Sequence, residues 1–220
     1  MYELQGQSII LWGGTGQAKV VRPIIEARGG SVVAVFDDTP GLPPPFPDVP
    51  LYLGWKGFCA WQERQDGVPF GFCIAIGNPH GRVRLKIAEQ LKAAGLHPVH
   101  VIHPTAHVEA NAQLGEGCQL MAGALVGAEA VLGAQVIINT RASVDHECIL
   151  GDGCELAPGA TLCGLIRLGD GAWVGAGTTV LPRLNIGRDS IVGAGSLVIN
   201  DIPDGVVVVG HPATRVLRKV

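Results

Sequence analysis

The sequence predicts a two-part chain. Residues 1–101 form an α/β domain with a small Rossmann-like parallel sheet, and residues 102–220 form a parallel β-helix of hexapeptide repeats. Three observations carry this. Every sixth residue from Ile102 to Val198 is Val, Ile or Leu, without an insertion, and a fixed short period marks a solenoid. Ahead of it, short apolar runs alternate with helical patterns, the sequence form of a parallel sheet. Glycine is 32 of 220 residues, about twice its ordinary share, and with no collagen period it implies many tight turns.

The first hundred residues read element by element. SIILWGG is a short apolar run ending in glycine, a buried strand. TGQAKVVRPIIEARGG is a helix closed by Gly29 and Gly30. SVVAVFDD is a second strand. A loop follows, dense in proline from Pro40 to Pro50, where no helix persists. FGFCIAIGN is a third strand, PHGRVRLKIAEQLKAAG a second long helix, and HPVHVIHP leads into the repeats.

In the repeat region the aliphatic position points inward and stacks along the axis. Two residues before it the side chain is mostly small, as at Cys118, Ala124, Ala130, Ala142, Cys148, Cys154 and Ala160. One residue after it glycine dominates, as at Gly115, Gly127, Gly133, Gly151, Gly169 and Gly175, with Asn139 and Asp145 in its place. Those types tolerate positive φ, so this position is expected to turn the corner. Three strands and three turns make one coil of 18 residues, and each coil buries its apolar face against its neighbours. Hydrophobic residues are 47% and aromatic residues 5%, so the expected core is aliphatic.

Composition removes several function classes. The formal net charge is −3 and no basic stretch exists, which argues against nucleic acid. No apolar run approaches a membrane span. The N-terminal run lacks a basic segment and a cleavage site, so the expected location is cytoplasmic. The six cysteines show no C-x-x-C spacing and are expected as free thiols.

Candidate functional residues fall in two places. Gly13-Gly14-Thr15-Gly16 sits between strand and helix, where glycines admit a ligand and the helix start favours phosphate; plain tight-turn glycines are the other reading. Asp37 and Asp38 end the next strand, where a ribose-binding acid is expected. One half of a dinucleotide fold suits a mononucleotide or a nucleotide sugar better than NAD. In the repeats, His146 lies on the outside near a corner with Ala128 and Gly164 as its stacking neighbours, and Glu147 follows it. A carboxylate beside an imidazole raises its basicity and orients it. From spacing alone His146 is a general base or an ordinary surface histidine. His100, His103 and His107 have a spacing that also admits a metal ion.

The segment Ile138-Asn139-Thr140-Arg141-Ala142-Ser143-Val144-Asp145-His146-Glu147-Cys148 resembles the catalytic segment of the bacterial sialic-acid and bacillosamine pathway acetyltransferases. The GGTG turn, the Phe36-Asp37-Asp38 strand end, Ile76-Gly77-Asn78, Ile102-His103-Pro104-Thr105-Ala106 and Gly210-His211-Pro212-Ala213 match the same pattern, so the resemblance spans nearly the whole chain. It implies a left-handed β-helix, a homotrimer with active sites at subunit interfaces, and acetyl transfer from acetyl-CoA to the amine of a nucleotide-linked sugar, with no metal. The most specific acceptor expected is a 4-amino-4,6-dideoxy sugar such as GDP-perosamine. It makes His146 the base with Glu147 beside it, and Gly164 the oxyanion donor at the thioester. Arg167, Ala176 and Ala194 would line the acetyl-CoA groove, with Arg183, Arg188, Arg215, Arg218 and Lys219 as candidate phosphate contacts. Glu155 stands where some relatives carry a histidine near the CoA. Asn139 would touch the sugar or the acetyl group. Gly14, Thr15, Gly16, Asp37, Asp38 and Lys56 would hold the nucleotide sugar. The competing readings are an O-acetyltransferase or small-amine acetyltransferase on the same fold, a gamma-class zinc hydratase, and a non-catalytic sugar-nucleotide sensor.

Overall fold

The computed structural model describes residues 3–65 and 67–219; the side chains of Arg218 and Lys219, two of the expected phosphate contacts, lie outside the description. The chain divides into two compact units, one of Met1–Ile76 and Lys86–Pro104, the other of Gly77–Leu85 and Thr105–Val220.

In the first unit the elements run β1 (Ser8–Trp12), α1 (Gly16–Ala27), β2 (Ser31–Asp37), β3 (Leu51–Leu53), α2 (Gly54–Gln62) and β4 (Gly71–Ile74), then α3 (Gly81–Ala93) from Lys86 onward and β5 (His97–Pro98). The strand order is β3-β2-β1-β4-β5 and every pairing is parallel. Central β1 is buried from Ile9 to Trp12, as a strand covered on both faces must be. The chain first moves from β1 outward to β2 and β3, then returns to the other side as β4. The order therefore reverses at β1, and ligands of such sheets bind outside the carboxyl ends at that switch point. Gly13 sits there with φ 110°, and a Cβ on it would strike the Ala75 carbonyl oxygen, so no other residue fits.

Two elements escape the sequence reading. β3 is Leu-Tyr-Leu, too short to show a period. α2 is GWKGFCAWQ, with two glycines and no side-chain cap, so its propensity is poor and packing makes it a helix. Its Phe58 and Trp61 enter a cluster with Trp12, Phe36, Phe70 and Phe72. Phe36 and Phe58 meet edge-on at 5.4 Å. The expected aliphatic core is thus found only in the second unit, because the few aromatic residues are concentrated in the first.

The second unit is a left-handed parallel β-helix. Its two-residue strands stack into three sheets. The first holds Gln119–Leu120, Ile137–Ile138, Glu155–Leu156, Trp173–Val174 and Ile191–Val192. The second includes Leu125–Val126, Ser143–Val144, Thr161–Leu162 and Thr179–Val180. The third includes Val131–Leu132, Ile149–Leu150, Arg167–Leu168 and Asn185–Ile186. Ser143 pairs with Leu125 before it and Thr161 after it, the predicted 18-residue coil. Val126, Val144, Leu162, Val180, Val192 and Val198 are 0% exposed, and so are Cys118, Ala130, Ala142, Cys148 and Cys154. Each such Val or Leu is worth about 1.5–3 kcal/mol on burial. Burial pushes the Cys118 and Cys154 thiols up to about 12 and raises that of Cys148, so these cysteines are packing residues.

The corners differ from the expectation. The glycine one residue after the aliphatic does not have positive φ. It is needed for closeness: a Cβ on Gly127 would lie 2.9 Å from the Asp145 carbonyl carbon of the next coil, and one on Gly175 2.5 Å from the Ala194 nitrogen. Asn139 and Asp145 are likewise not in a positive-φ conformation; each accepts the N–H of its own successor, at 2.8 and 2.7 Å. The corner is turned two residues later. Between the first and second sheets the positive-φ residues are Gly123, Arg141, Gly159, Gly177 and Gly195. Between the second and third they are Glu129, Glu147, Leu165 and Arg183. Between the third and first they are Gly117, Gln135, Gly153, Gly171 and Asp189. A side chain at such a position costs roughly 1–2 kcal/mol.

Residues 77–85 are fastened to this β-helix. Arg84 is fully buried and donates to the carbonyls of Gly153 at 2.8 Å and Gln135 at 3.1 Å, while its Nη1 lies 3.2 Å from Glu155 Oε2. Glu155 Oε1 accepts the Asn78 N–H at 3.0 Å. Burial lowers the pKa of Arg84 and raises that of Glu155, and each partner opposes the other's shift. Nearby, Arg82 forks onto Asp189 at 2.7 and 3.0 Å. Glu155, at the position where some relatives carry a histidine near the CoA, is 3% exposed beneath Arg84.

Candidate active site

His146 lies on the turn from Ser143–Val144 to Ile149–Leu150, between the second and third sheets. Its backbone N–H is taken by Asp145 Oδ1 at 2.7 Å. Glu147 has φ 57°, and its Oε2 lies 3.0 Å from His146 Nδ1. Both side chains are half exposed, at 50% and 49%. A carboxylate on Nδ1 selects the tautomer with the proton there, which leaves Nε2 with a lone pair.

The neighbours in the stack are those the spacing predicts. Below, the Ala128 carbonyl accepts the Glu147 N–H at 2.8 Å; above, the His146 carbonyl accepts the Leu165 N–H at 2.9 Å. Gly164 is closest of all. A Cβ built on it would collide with Nε2 and Cε1 of the imidazole. The space expected for a ligand over the ring is therefore occupied by the ring itself, and glycine is what admits it. The Gly164 carbonyl accepts the Arg183 N–H at 3.1 Å, while the Gly164 N–H meets no acceptor among the described residues. One coil further, Pro182 has no N–H to offer.

The nucleotide candidates separate into two roles. Asp37 is engaged in the turn itself: Oδ2 accepts the Gly14 N–H at 2.7 Å and Oδ1 the Thr39 N–H at 2.9 Å. The Gly14 N–H is thus already spent on a carboxylate. Thr15 is the residue before α1 and makes no side-chain cap, and Gly16 has open space around it. Asp38 and Lys56 come together in a cavity of about 600 Å³, with Tyr52, Trp55 and Arg64. Trp55 and Arg64 went unnoticed in the sequence because α2 did.

The acetyl-CoA candidates fall at two different corners. Gly164 and Arg183 share the corner with His146, and Arg167 opens the strand that follows. Ala176 and Ala194 lie on the turns from Trp173–Val174 to Thr179–Val180 and from Ile191–Val192 to Leu197–Val198, which is the corner of Asn139 and Arg141. The second sheet separates the two groups. Arg188 lies at the third corner, before Asp189. Among the described residues no group of three or more His, Cys, Asp or Glu is placed to hold a metal ion. His107 pairs instead with Glu109 at 3.0 Å. No helix among the described residues is long and apolar enough to cross a membrane.

Two solved structures of one relative decide the family. PerB from Caulobacter crescentus, crystallised with CoA and GDP-perosamine, is 36% identical, with 96% of this chain and 97% of that one covered and a TM-score of 0.84. A histidine-to-alanine mutant of GDP-perosamine N-acetyltransferase from the same organism, with the same ligands, is 35% identical over 97% of this chain and 98% of that one, at a TM-score of 0.86. The chain belongs to the hexapeptide-repeat nucleotide-sugar N-acetyltransferases. The acetyltransferase domain of PglB from Neisseria gonorrhoeae, with acetyl coenzyme A, is a further member-like structure, 30% identical over 94% and 98% of the two chains at a TM-score of 0.83. The PglD N-terminal domain family matches residues 8–91. No curated protein matches the chain. As a member of this family, the N-acetyltransferase is an acetyl-CoA-dependent enzyme acting on a sugar amine.

Proposed function

We propose that this enzyme acetylates the amine of a nucleotide-linked 4-amino-4,6-dideoxy sugar, with GDP-perosamine as the leading acceptor and His146 as general base. The observation that carries the mechanism is the arrangement at one corner: Glu147 on Nδ1 of His146, and Nε2 against a glycine whose N–H meets no acceptor among the described residues. The sugar nitrogen attacks the thioester carbonyl as its neutral amine. As the C–N bond forms, His146 Nε2 takes the nitrogen's proton. Glu147 holds the ring and stabilises the imidazolium. The Gly164 N–H receives the charge that develops on the carbonyl oxygen. The C–S bond then breaks, and the proton passes from His146 to the CoA thiolate. The sequence holds no nucleophile motif that sets a Ser or Cys beside a histidine, and the transfer is direct.

The acceptor choice is supported by the one relative whose two structures hold GDP-perosamine together with CoA. On this reading the nucleotide occupies the cavity of Asp38, Trp55, Lys56 and Arg64, with Thr15 and Gly16 at the start of α1 beside the diphosphate. The active unit is a homotrimer. Gly164 and Ala176 lie at different corners of one copy, an arrangement that suits a CoA held in a groove between two copies. Asn139 then faces the sugar or the acetyl group from the neighbouring copy.

A free-thiol release assay tests the reading. Acetyl-CoA is supplied with GDP-, UDP- and dTDP-linked 4-amino and 3-amino sugars. Turnover with the GDP-linked 4-amino sugar is the expected result. Turnover with none of the panel, by protein that still binds acetyl-CoA, would reject the acceptor class.

A further inference from the structure

Some residues that interrupt the glycine pattern of the corners have a side-chain partner: Asp189 takes the fork of Arg82, and Glu147 holds His146. Arg141 has none among the described residues and lines a cavity. It has φ 55° in a column otherwise made of Gly123, Gly159, Gly177 and Gly195. Its guanidinium meets no carboxylate and no other acceptor among the described residues. A side chain kept in a strained position, without an internal partner, points to something outside the chain.

Its surroundings say what kind of thing. The stem of Arg141 lies over Gly123, where a Cβ would come within 3.4 Å of its Cγ. Arg141 lines a cavity of about 700 Å³ together with Thr105, Ala122, Gly123, Thr140 and Pro158. That lining holds a cation and two hydroxyl-bearing residues and no carboxylate. The planar guanidinium fork matches two oxygens of a phosphate, and the Thr140 hydroxyl adds a donor.

We infer that this cavity is an anion subsite that holds a phosphate group of one of the two co-substrates, with Arg141 as its binding residue. The inference rests on the proposed reaction only in that both co-substrates, acetyl-CoA and the nucleotide-linked sugar, carry phosphate. The subsite lies on the turn after Asn139, one corner away from His146, and so contributes to binding rather than to bond making.

The test is titration calorimetry of the full chain with CoA, dephospho-CoA, GDP, UDP and dTDP, comparing the native protein with Arg141→Gly and Arg141→Lys. Arg141→Gly restores the residue that the corner uses elsewhere, so it folds and melts at a higher temperature than the native protein. Its dissociation constant for one class of ligand should rise about tenfold, the worth of a charge-assisted hydrogen bond. Arg141→Lys, which keeps the charge and loses the fork, should fall between. A loss seen with CoA and absent with dephospho-CoA places the 3′-phosphate in the cavity. A loss with both places the CoA diphosphate there, and a loss with a nucleoside diphosphate places that of the sugar nucleotide. Equal affinities in native and Arg141→Gly protein for every ligand, or no binding by either, would overturn the subsite. Because binding is read directly, the result does not depend on acetyl transfer being observed.

Discussion

The two corners that flank the second sheet do the same geometric work with different residues. One turns on Gly123, Gly159, Gly177 and Gly195, with Arg141 the exception; the other turns on Glu129, Glu147, Leu165 and Arg183, without a glycine. The backbone is alike, with φ between 55° and 69° at these positions. Glycine suits that conformation at no steric cost, whereas each side chain costs about 1–2 kcal/mol. The glycine corner shows that the fold needs only the turn. The other corner shows where side chains are retained at the expense of stability, and it is the corner that carries His146. Strain of this kind persists where the structure or the function requires the group. At Glu147 the requirement is visible, since a residue turned this way presents its carboxylate to Nδ1 at 3.0 Å.

The comparison can be broken most sharply at Gly164, which is glycine for room. Gly164 is not in a positive-φ conformation, so Gly164→Val keeps an allowed backbone and drives the imidazole off its seat. Turnover should fall on the order of 10²-fold or more from misplacement alone, with circular dichroism and melting showing a folded protein. Unchanged turnover would mean the ring does not work from this position.

A smaller effect sharpens the contrast between the corners. Glu147→Gly converts the histidine corner toward the glycine corner at the one place where the side chain has a partner. Its stability should rise by about 1 kcal/mol from relief of strain, while turnover falls roughly 10–100-fold from loss of the orienting carboxylate. Leu165→Gly is the control at the equivalent position one coil on, with the same gain in stability and turnover within about twofold. If Glu147→Gly lost stability, or if both variants lost activity alike, the division between turning residues and chemical residues would not hold.

Much of this was legible in the sequence, for a physical reason. The inward Val, Ile and Leu of each coil repeat because every coil needs the same core, so period, coil length and the buried cysteines could be read directly. The corners could not. Glycine has two uses, positive φ and close approach, and composition does not separate them. The glycine column of Gly127 and its equivalents serves close packing; of the columns that turn, two are mostly glycine and the one beside His146 has none, so residue type alone does not mark the turning position. α2 was hidden because its helicity comes from burying Phe58 and Trp61 rather than from propensity. The pairing of Glu155 was not legible because its partner Arg84 lies 71 positions away in the sequence and no local rule connects them. The closeness of His146, Glu147 and Gly164 could be read because they are near in sequence or one coil apart, and the repeat makes that second distance readable.

The most direct test is His146→Ala, measured for turnover by free-thiol release and for acetyl-CoA affinity by titration in the same preparation. The account predicts a loss of turnover of ~10²–10⁴-fold, the usual worth of a positioned base, with acetyl-CoA affinity within about twofold of the native protein. Turnover near the native value would remove His146 from the chemistry and contradict the account.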